Sequence, residues 1–415
     1  MSKTTSVYLD YNATTPLDPD VLTAITNTLR DAWGNPSSSH TQGKKAKAVI
    51  NESRQNVASM IGAKPSDIIF TSGGTEGNNW ILDTAVKFFH DDLKQDRKLN
   101  TESHRKQLPH FITSNLEHDS VKLVLEQMVS TGIAECTFVA ASKLSGRVEV
   151  EDVLSAVRPN TIMVTVMLAN NETGVIQPVS KICSRVRSLK RHLGETSKIL
   201  LHSDAAQAIG KVKVDVSDIP VDYLTIVGHK FYAPRVGAIY VRDLDKGTPL
   251  YPLFFGGGQE SNFRPGTENA GMIAGLGKAA ELVVRNLDVF EKHLKEVRDY
   301  LEEQLKREFG DLIHINGKFK NSERLPNTCN FSITGQRLEG VTGRCVNQVY
   351  YLGLDAEPPL SFWPVVFLKT LPEMRYAFLW GGRQRNKTLT SLFVVSRNVS
   401  TNYQRKITDD KVLTM

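Results

Sequence analysis

A lysine, an aspartate and a glycine-rich turn each stand where an apolar run of this chain ends. Lys230 closes the run Thr225-Ile226-Val227-Gly228-His229-Lys230. A lysine just past a buried strand is unusual, because Lys is seldom buried without a partner. A solvated loop lysine is the plainer alternative. Asp204 closes Leu200-Leu201-His202-Ser203-Asp204 and is followed by Ala205-Ala206-Gln207. That end of a strand faces the crevice where open α/β sheets bind ligands, although an Asp there also caps helices. The third group is Phe70-Thr71-Ser72-Gly73-Gly74-Thr75-Glu76-Gly77-Asn78-Asn79. A helix opening there offers free N–H groups and a positive dipole end to a phosphate. Gly74 lets the backbone come close and Thr75 adds a hydroxyl, though a plain strand–turn–helix connection has the same composition. Taken together, a phosphate cradle, an acid and an amine are the parts that pyridoxal 5'-phosphate (PLP) chemistry requires. The amine bonds the cofactor aldehyde, and the acid keeps the pyridine nitrogen protonated.

These groups need a scaffold with strand ends side by side. Strand patterns fall at Asp67–Phe70, His110–Thr113, Cys136–Val139, Ile162–Leu168, Ile199–His202, Tyr223–Val227 and Gly237–Val241. Several are continuous apolar runs, as in strands buried on both faces. Helix-length stretches such as Glu117–Ser130 and Val179–Leu193 lie between them. The alternation predicts an α/β fold with a mostly parallel sheet. Asp204 precedes Lys230 by 26 positions, room for one further strand. Residues 91–109 are polar and charged and are expected to form a surface insertion. Ala270–Phe309 is compatible with one long helix leading to a smaller domain.

Composition excludes several functions. The chain has 415 residues, 40% hydrophobic and 23% charged, an ordinary globular mixture. The net charge of +6 is concentrated at the end: residues 341–415 hold ten Lys/Arg against five Asp/Glu. The body therefore gives no support to nucleic-acid binding. No apolar run approaches the roughly 20 residues that span a bilayer, so no membrane association is expected. Four cysteines without a CxxC pair indicate neither a disulfide framework nor a metal site. With no signal or transit pattern at the N-terminus, the expected compartment is the cytosol.

Further motifs accompany the first three, in order: Tyr8-Leu9-Asp10-Tyr11-Asn12-Ala13-Thr14-Thr15-Pro16, Gly34-Asn35-Pro36-Ser37-Ser38, Glu117-His118, Asn170-Asn171-Glu172-Thr173-Gly174 and Arg264-Pro265-Gly266-Thr267-Glu268-Asn269. With them, residues of about 6–339 resemble class-V aminotransferase-fold enzymes, specifically the cysteine desulfurase and selenocysteine lyase group. The resemblance implies PLP fold type I, with a large domain, a smaller domain and a homodimer. It implies that Lys230 bonds the cofactor, Asp204 pairs with the pyridinium nitrogen, and Asn171 and Gln207 approach the ring hydroxyl. His118 stacks on the ring and, with Lys230, is a candidate for proton transfer. Gly74, Thr75 and His229 hold the phosphate, and Thr267 reaches the phosphate of the neighbouring subunit. Asn35 and Arg264 grip the substrate carboxylate. Bland roles stand beside these: a turn residue for Asn171, an ion pair for Arg264, a core histidine for His118.

The implied domains are an N-terminal arm (1–20), the large PLP-binding domain (21–270), a connecting helix with a partial small domain (271–340), and a divergent, poorly folded tail (341–415). The implied reaction converts the small molecule L-selenocysteine to L-alanine and releases reduced selenium, which a selenium-acceptor protein would take up. The resemblance stops near Gly340. The family's reactive C-terminal cysteine loop has no counterpart, since Cys345 stands in Val-Thr-Gly-Arg-Cys-Val-Asn. Two alternatives follow: a cysteine desulfurase, which the missing thiolate disfavours, and a catalytically impaired chain that binds PLP and dimerises.

Overall fold

The computed structural model describes residues 8–95, 107–189, 198–244, 246–333, 349–353, 377–384 and 387–394. Helix α1 (Pro19–Asp31) starts at a proline, with Asp18 accepting from the Asp20 N–H as its N-cap. Helix α2 is Thr41–Met60. Seven strands then build the main sheet: β1 (Ile68–Thr71), β2 (His110–Ser114), β3 (Glu135–Val139), β4 (Thr161–Thr165), β5 (Leu200–Asp204), β6 (Tyr223–Val227) and β7 (Gly237–Val241). Their connections include α3 (Gly74–Gln95), α4 (Asp119–Ser130), α5 (Val150–Ser155) and α6 (Val179–Arg187).

The strand order is β1-β7-β6-β5-β4-β2-β3. β7 pairs antiparallel with both β1 and β6. All other pairs are parallel, so six strands point one way. β2, β4, β5, β6 and β7 are buried along their whole length, which explains their unbroken apolar runs. β3 is an edge strand and is mostly half-buried. Alternate residues feed two cores on opposite faces. Leu201, Leu224 and Ala238 join the core that includes Val21, Ile50 and Leu276. Leu200, Tyr223 and Ile239 join Trp80, Phe89 and Leu125. Trp80 is fully buried, and its indole N–H donates to the Tyr251 carbonyl at 2.7 Å.

The 40-residue helix α7 (Ala270–Phe309) is capped by Asn269 and ends at Gly310, whose φ of +56° suits glycine. It packs on α1 and α2 and runs on to a second sheet of β8 (Ile313–Ile315), β9 (Thr328–Ile333) and β10 (Val349–Gly353), in the order β10-β9-β8. Ile313, Cys329 and Phe331 close a small core there with Leu9, Leu301 and Phe309. Strands β11 (Ala377–Gln384) and β12 (Lys387–Val394) pair antiparallel. No helix among the described residues is long and apolar enough to cross a membrane.

Three expectations need correction. Residues 91–95 of the expected insertion are the last turn of α3, where Asp91 accepts from the Tyr251 hydroxyl at 2.7 Å; residues 96–106 lie outside the described residues. The apolar run Ile162–Leu168 outlasts its strand, which ends at Thr165. Of residues 341–415, those described form β10, β11 and β12; the rest, Cys345 included, lies outside the described residues, so the poorly folded tail stays an expectation. The expected helix at 179–193 ends at Arg187, with Ser188 as its C-cap; residues 190–193 lie outside the described residues.

Candidate active site

The expected groups converge because the parallel strands end on one edge of the sheet, where open α/β sheets place ligands. Asp204 is the last residue of β5 and Lys230 lies three residues past β6. His118 follows β2, and Gly74 and Thr75 open α3 just after β1.

Lys230 is half-buried, and its Nζ donates to the main-chain carbonyls of Asn12 at 2.6 Å and Ala13 at 2.9 Å. The N-terminal arm is thereby drawn onto the loop after β6. A further bond from the Thr15 N–H to the His229 carbonyl fixes it. Burial lowers the Lys230 amine to about 8, the charge of Lys211 pushes the same way, and Asp204 and Asp10 oppose both. Lys211 is itself buried and donates from Nζ to the Lys230 carbonyl at 2.9 Å. A lysine with this pKa is partly the free amine near neutral pH, the form that attacks an aldehyde. The solvated-lysine alternative is thus excluded by geometry.

Asp204 is buried; its Oδ1 accepts from the Ala206 N–H at 2.9 Å and its Oδ2 from Asn78 Nδ2 at 2.8 Å. Gln207 donates from Nε2 to the Asn12 carbonyl at 3.1 Å, and its buried Oε1 has no hydrogen-bond partner. Asn171 is half-buried and accepts on its carbonyl from Asn12 Nδ2 at 3.4 Å. The turn beside it is organised by Asn170, whose Oδ1 accepts from the Glu172 and Thr173 N–H groups. His229 bonds Thr14 Oγ1 through Nδ1 at 3.1 Å. Burial first, then the charges of Lys230, Arg235 and Lys211, lower it to about 4, so it is neutral.

His118 is exposed rather than in the core, and it is the N-cap of α4: its Nδ1 accepts from the Ser120 N–H at 3.1 Å. Beside it, fully buried Glu117 accepts on Oε1 from Ser114 Oγ and the Met167 N–H. Burial pushes its carboxyl up to about 8, so it is mostly protonated at neutral pH.

The cradle is tight at one point. A Cβ on Gly74 would meet Val227 Cγ2 at 2.6 Å, which explains the glycine. Thr75 is exposed at this helix start. Arg264 takes the ion-pair role left open by its sequence: Nε and Nη2 bond Glu76 Oε1 and Oε2 at 2.9 and 3.1 Å. Glu76 is consequently lowered from the usual carboxylate range, the guanidinium outweighing its burial together with Ser72. Asn35 turns its Oδ1 back onto the Ser37 N–H at 2.9 Å, so Asn35 and Arg264 are each engaged apart from one another. Thr267 is exposed on the loop between Arg264 and α7.

Asn12, Asn78, Ser120, Lys211 and Glu76 contribute to the site although no role is readable for them in the sequence. Asn12 acts largely through its main-chain carbonyl, which carries no residue signature. Asn78 and Glu76 do stand inside the glycine-rich motif.

The residues present fit PLP. The amine is close to its free-base form, a buried carboxylate lies beside it, and the orphaned Gln207 Oε1 can accept from a ring hydroxyl. The Aminotransferase class-V profile matches residues 7–344. The chain is similar to "Selenocysteine lyase" of Rattus norvegicus, 58% identical over 338 residues that cover 80% of this chain and 78% of that one. It is similar at 39% over 327 residues to "Cysteine desulfurase IscS" of Dictyoglomus turgidum, covering 79% and 75% of the two chains. Among solved structures, a "NIFS-LIKE PROTEIN" superposes with a TM-score of 0.69 at 34% identity, over 79% of this chain and 82% of that one. Sequence, sheet topology and site thus agree that the chain belongs to the aminotransferase class-V family of PLP-dependent enzymes.

Proposed function

We propose that the chain is a lyase that converts L-selenocysteine to L-alanine with release of reduced selenium, working as a homodimer in the cytosol. The observation that carries this reading is the Lys230 amine, lowered to about 8 at the end of β6 with Asp204 close by. The 58% identity to a selenocysteine lyase favours selenocysteine over cysteine as substrate. When bound, PLP supplies an electron-poor ring that accommodates the electron pair left on the substrate Cα. Lys230 Nζ would hold the cofactor and, as a free amine, would take the substrate Cα proton. Asp204 holds a proton on the ring nitrogen. Gln207 and Asn171 orient the ring through its hydroxyl, and the α3 N-terminus with Thr75 and His229 binds the phosphate. Thr267, on an exposed loop, is assigned to the phosphate of the partner subunit. A selenol is largely ionised at neutral pH because it is more acidic than a thiol; to give alanine the Cβ–selenium bond pair stays on Cβ, which takes a proton, and selenium departs at the zero oxidation level. Selenide release takes two electrons from a thiol reductant, and an acceptor protein is the assigned destination.

The desulfurase reading needs a thiolate to carry sulfur. Cys136, Cys183 and Cys329, the cysteines of the described residues, are each pushed up to about 12, chiefly by burial. The test is alanine production by the purified chain with PLP and a dithiol, from L-selenocysteine and from L-cysteine. Faster alanine formation from selenocysteine is expected. Equal or faster formation from cysteine would give the desulfurase reading, and bound PLP without alanine from either would give an impaired chain.

Arg264 yields a second expectation. With Nε and Nη2 on Glu76, its Nη1 is assigned to the substrate carboxylate. Arg264→Lys keeps the charge but loses the planar fork, so KM for selenocysteine should rise by about tenfold, the scale of one charge-assisted hydrogen bond. PLP affinity should change less. Weakened PLP binding at constant KM would instead make the Arg264–Glu76 pair a fastening for the phosphate cradle.

A further inference from the structure

A chain of buried hydrogen bonds runs beneath the site, and the chemistry of its ends fixes the direction of every link. It begins at His202, which is fully buried and lowered to about 3 by that burial, so its ring is neutral. Nδ1 of His202 bonds Thr165 Oγ1 at 2.7 Å, and Nε2 bonds Thr225 Oγ1 at 3.0 Å. The Thr225 hydroxyl donates to Asn78 Oδ1 at 2.7 Å. Asn78 is 0% exposed, and its Nδ2 donates at 2.8 Å to Asp204 Oδ2 and at 2.8 Å to Ser120 Oγ. A carboxylate only accepts, so the amide nitrogen and not the oxygen must face Asp204. Both hydrogens of that NH₂ are then committed. Ser120 Oγ accepts from Asn78, and with Nδ1 of His118, 2.8 Å away, already an acceptor of the Ser120 N–H, its own hydrogen is donated to that nitrogen. With two donors aimed at Nδ1, a neutral His118 carries its proton on Nε2.

We infer that Asn78 is a positioning residue whose one amide holds the Asp204 carboxylate in place and, through Ser120, keeps His118 as the Nε2–H tautomer. This rests on the function proposed above for the meaning of Asp204, while the tautomer stands on the hydrogen bonds alone. The consequence for the reaction is specific. A neutral imidazole with Nε2–H donates from that nitrogen and has no lone pair there for a Cα proton. His118 is thus a hydrogen-bond donor over the cofactor, and the base is Lys230. Asn78 is fully buried, and its side chain is committed to Thr225, Asp204 and Ser120.

The experiment uses the full chain, first free of PLP, with ¹⁵N-labelled histidine, the His118 signals being assigned by their loss in His118→Gln. In the neutral form of the His118 ring, reached by titrating upward in pH, the Nδ1 signal should be that of an unprotonated nitrogen and Nε2 that of a protonated one. Ser120→Ala leaves a single donor on Nδ1 and should let the Nδ1–H form appear. Asn78→Ala removes the donor that orients the Ser120 hydroxyl toward His118 and should also mix the tautomers. It should in addition weaken PLP binding by about tenfold, the scale of one hydrogen bond to a charged group. Ser120→Ala should weaken it less, since the Asn78–Asp204 bond survives. A parent chain protonated on His118 Nδ1 would overturn the inference. So would an Asn78→Ala variant of unchanged melting temperature, tautomer and PLP affinity. If Asn78→Ala does not fold, the parent tautomer and Ser120→Ala decide. A parent chain that binds no PLP would end the proposed function and the Asp204 half of the inference, whereas the tautomer would still be read directly.

Discussion

Lys230→Ala is expected to leave a folded chain that holds no covalently bound PLP and turns over selenocysteine at least about a thousandfold more slowly. The size follows from two losses at one atom. Proton transfer by a positioned side chain alone contributes about 10²–10⁴-fold, and the covalent attachment goes as well. Removing a half-buried amine that donates only to the Asn12 and Ala13 carbonyls should cost the fold little. The parent enzyme should show the matching pH dependence. The Lys230 pKa is lowered to about 8, so the amine is charged below that value and free above it. Capture of added PLP by the PLP-free chain should therefore accelerate from pH 7 to pH 9 and level off beyond. Stopped-flow absorbance of parent and variant measures both effects. A pH-independent capture rate in the parent would show that the amine is not the titrating group.

Asp204→Asn carries the second-largest expected effect. The substitution keeps the shape of the side chain and removes its charge. A carboxylate within a few ångströms shifts a titrating partner by about 1–3 pK units, so its loss should reduce the protonated fraction of the ring nitrogen by about 10–1000-fold. Turnover should fall in proportion. The melting temperature should fall by several degrees, because the single amide oxygen can accept from only one of the Ala206 N–H and Asn78 Nδ2 and the other then faces an NH₂. Measurement of kcat, of bound-cofactor absorbance against pH, and of thermal unfolding separates these contributions. Unchanged kcat would assign the ring nitrogen to another group.

Much of the scaffold was legible because burial and sequence coincide. β6 and β7 lie at Tyr223–Val227 and Gly237–Val241, and α7 at Ala270–Phe309, as their patterns predict. β4 ends at Thr165 although Val166–Leu168 stay buried and the Val166 and Leu168 N–H groups still donate to the His202 and Asp204 carbonyls; the run leaves the regular ladder before the chain turns at Asn170. Burial sets the hydrophobicity of a segment; a regular ladder sets the strand. β10 had no local signal, since the basic, proline-containing tail suggests no order, yet Val349–Gly353 pairs with β9. The site was legible where a side chain with distinctive chemistry stands at a strand end, as Lys230 and Asp204 do. It was not legible where long-range partners decide. Arg264 meets Glu76 across 188 positions and Asn78 meets Asp204 across 126, and no local spacing encodes either pair. Lys211 reads as one more basic residue until the fold buries it against the Lys230 carbonyl.

The central claim is that PLP is held on Lys230 at the end of β6. Borohydride reduction of the PLP-loaded chain followed by peptide mass mapping tests it most directly, because reduction makes the bond permanent at whichever lysine holds the cofactor. The account predicts one modified peptide, carrying the cofactor on Lys230. Modification of Lys211 instead, or of scattered surface lysines with none on Lys230, would contradict it.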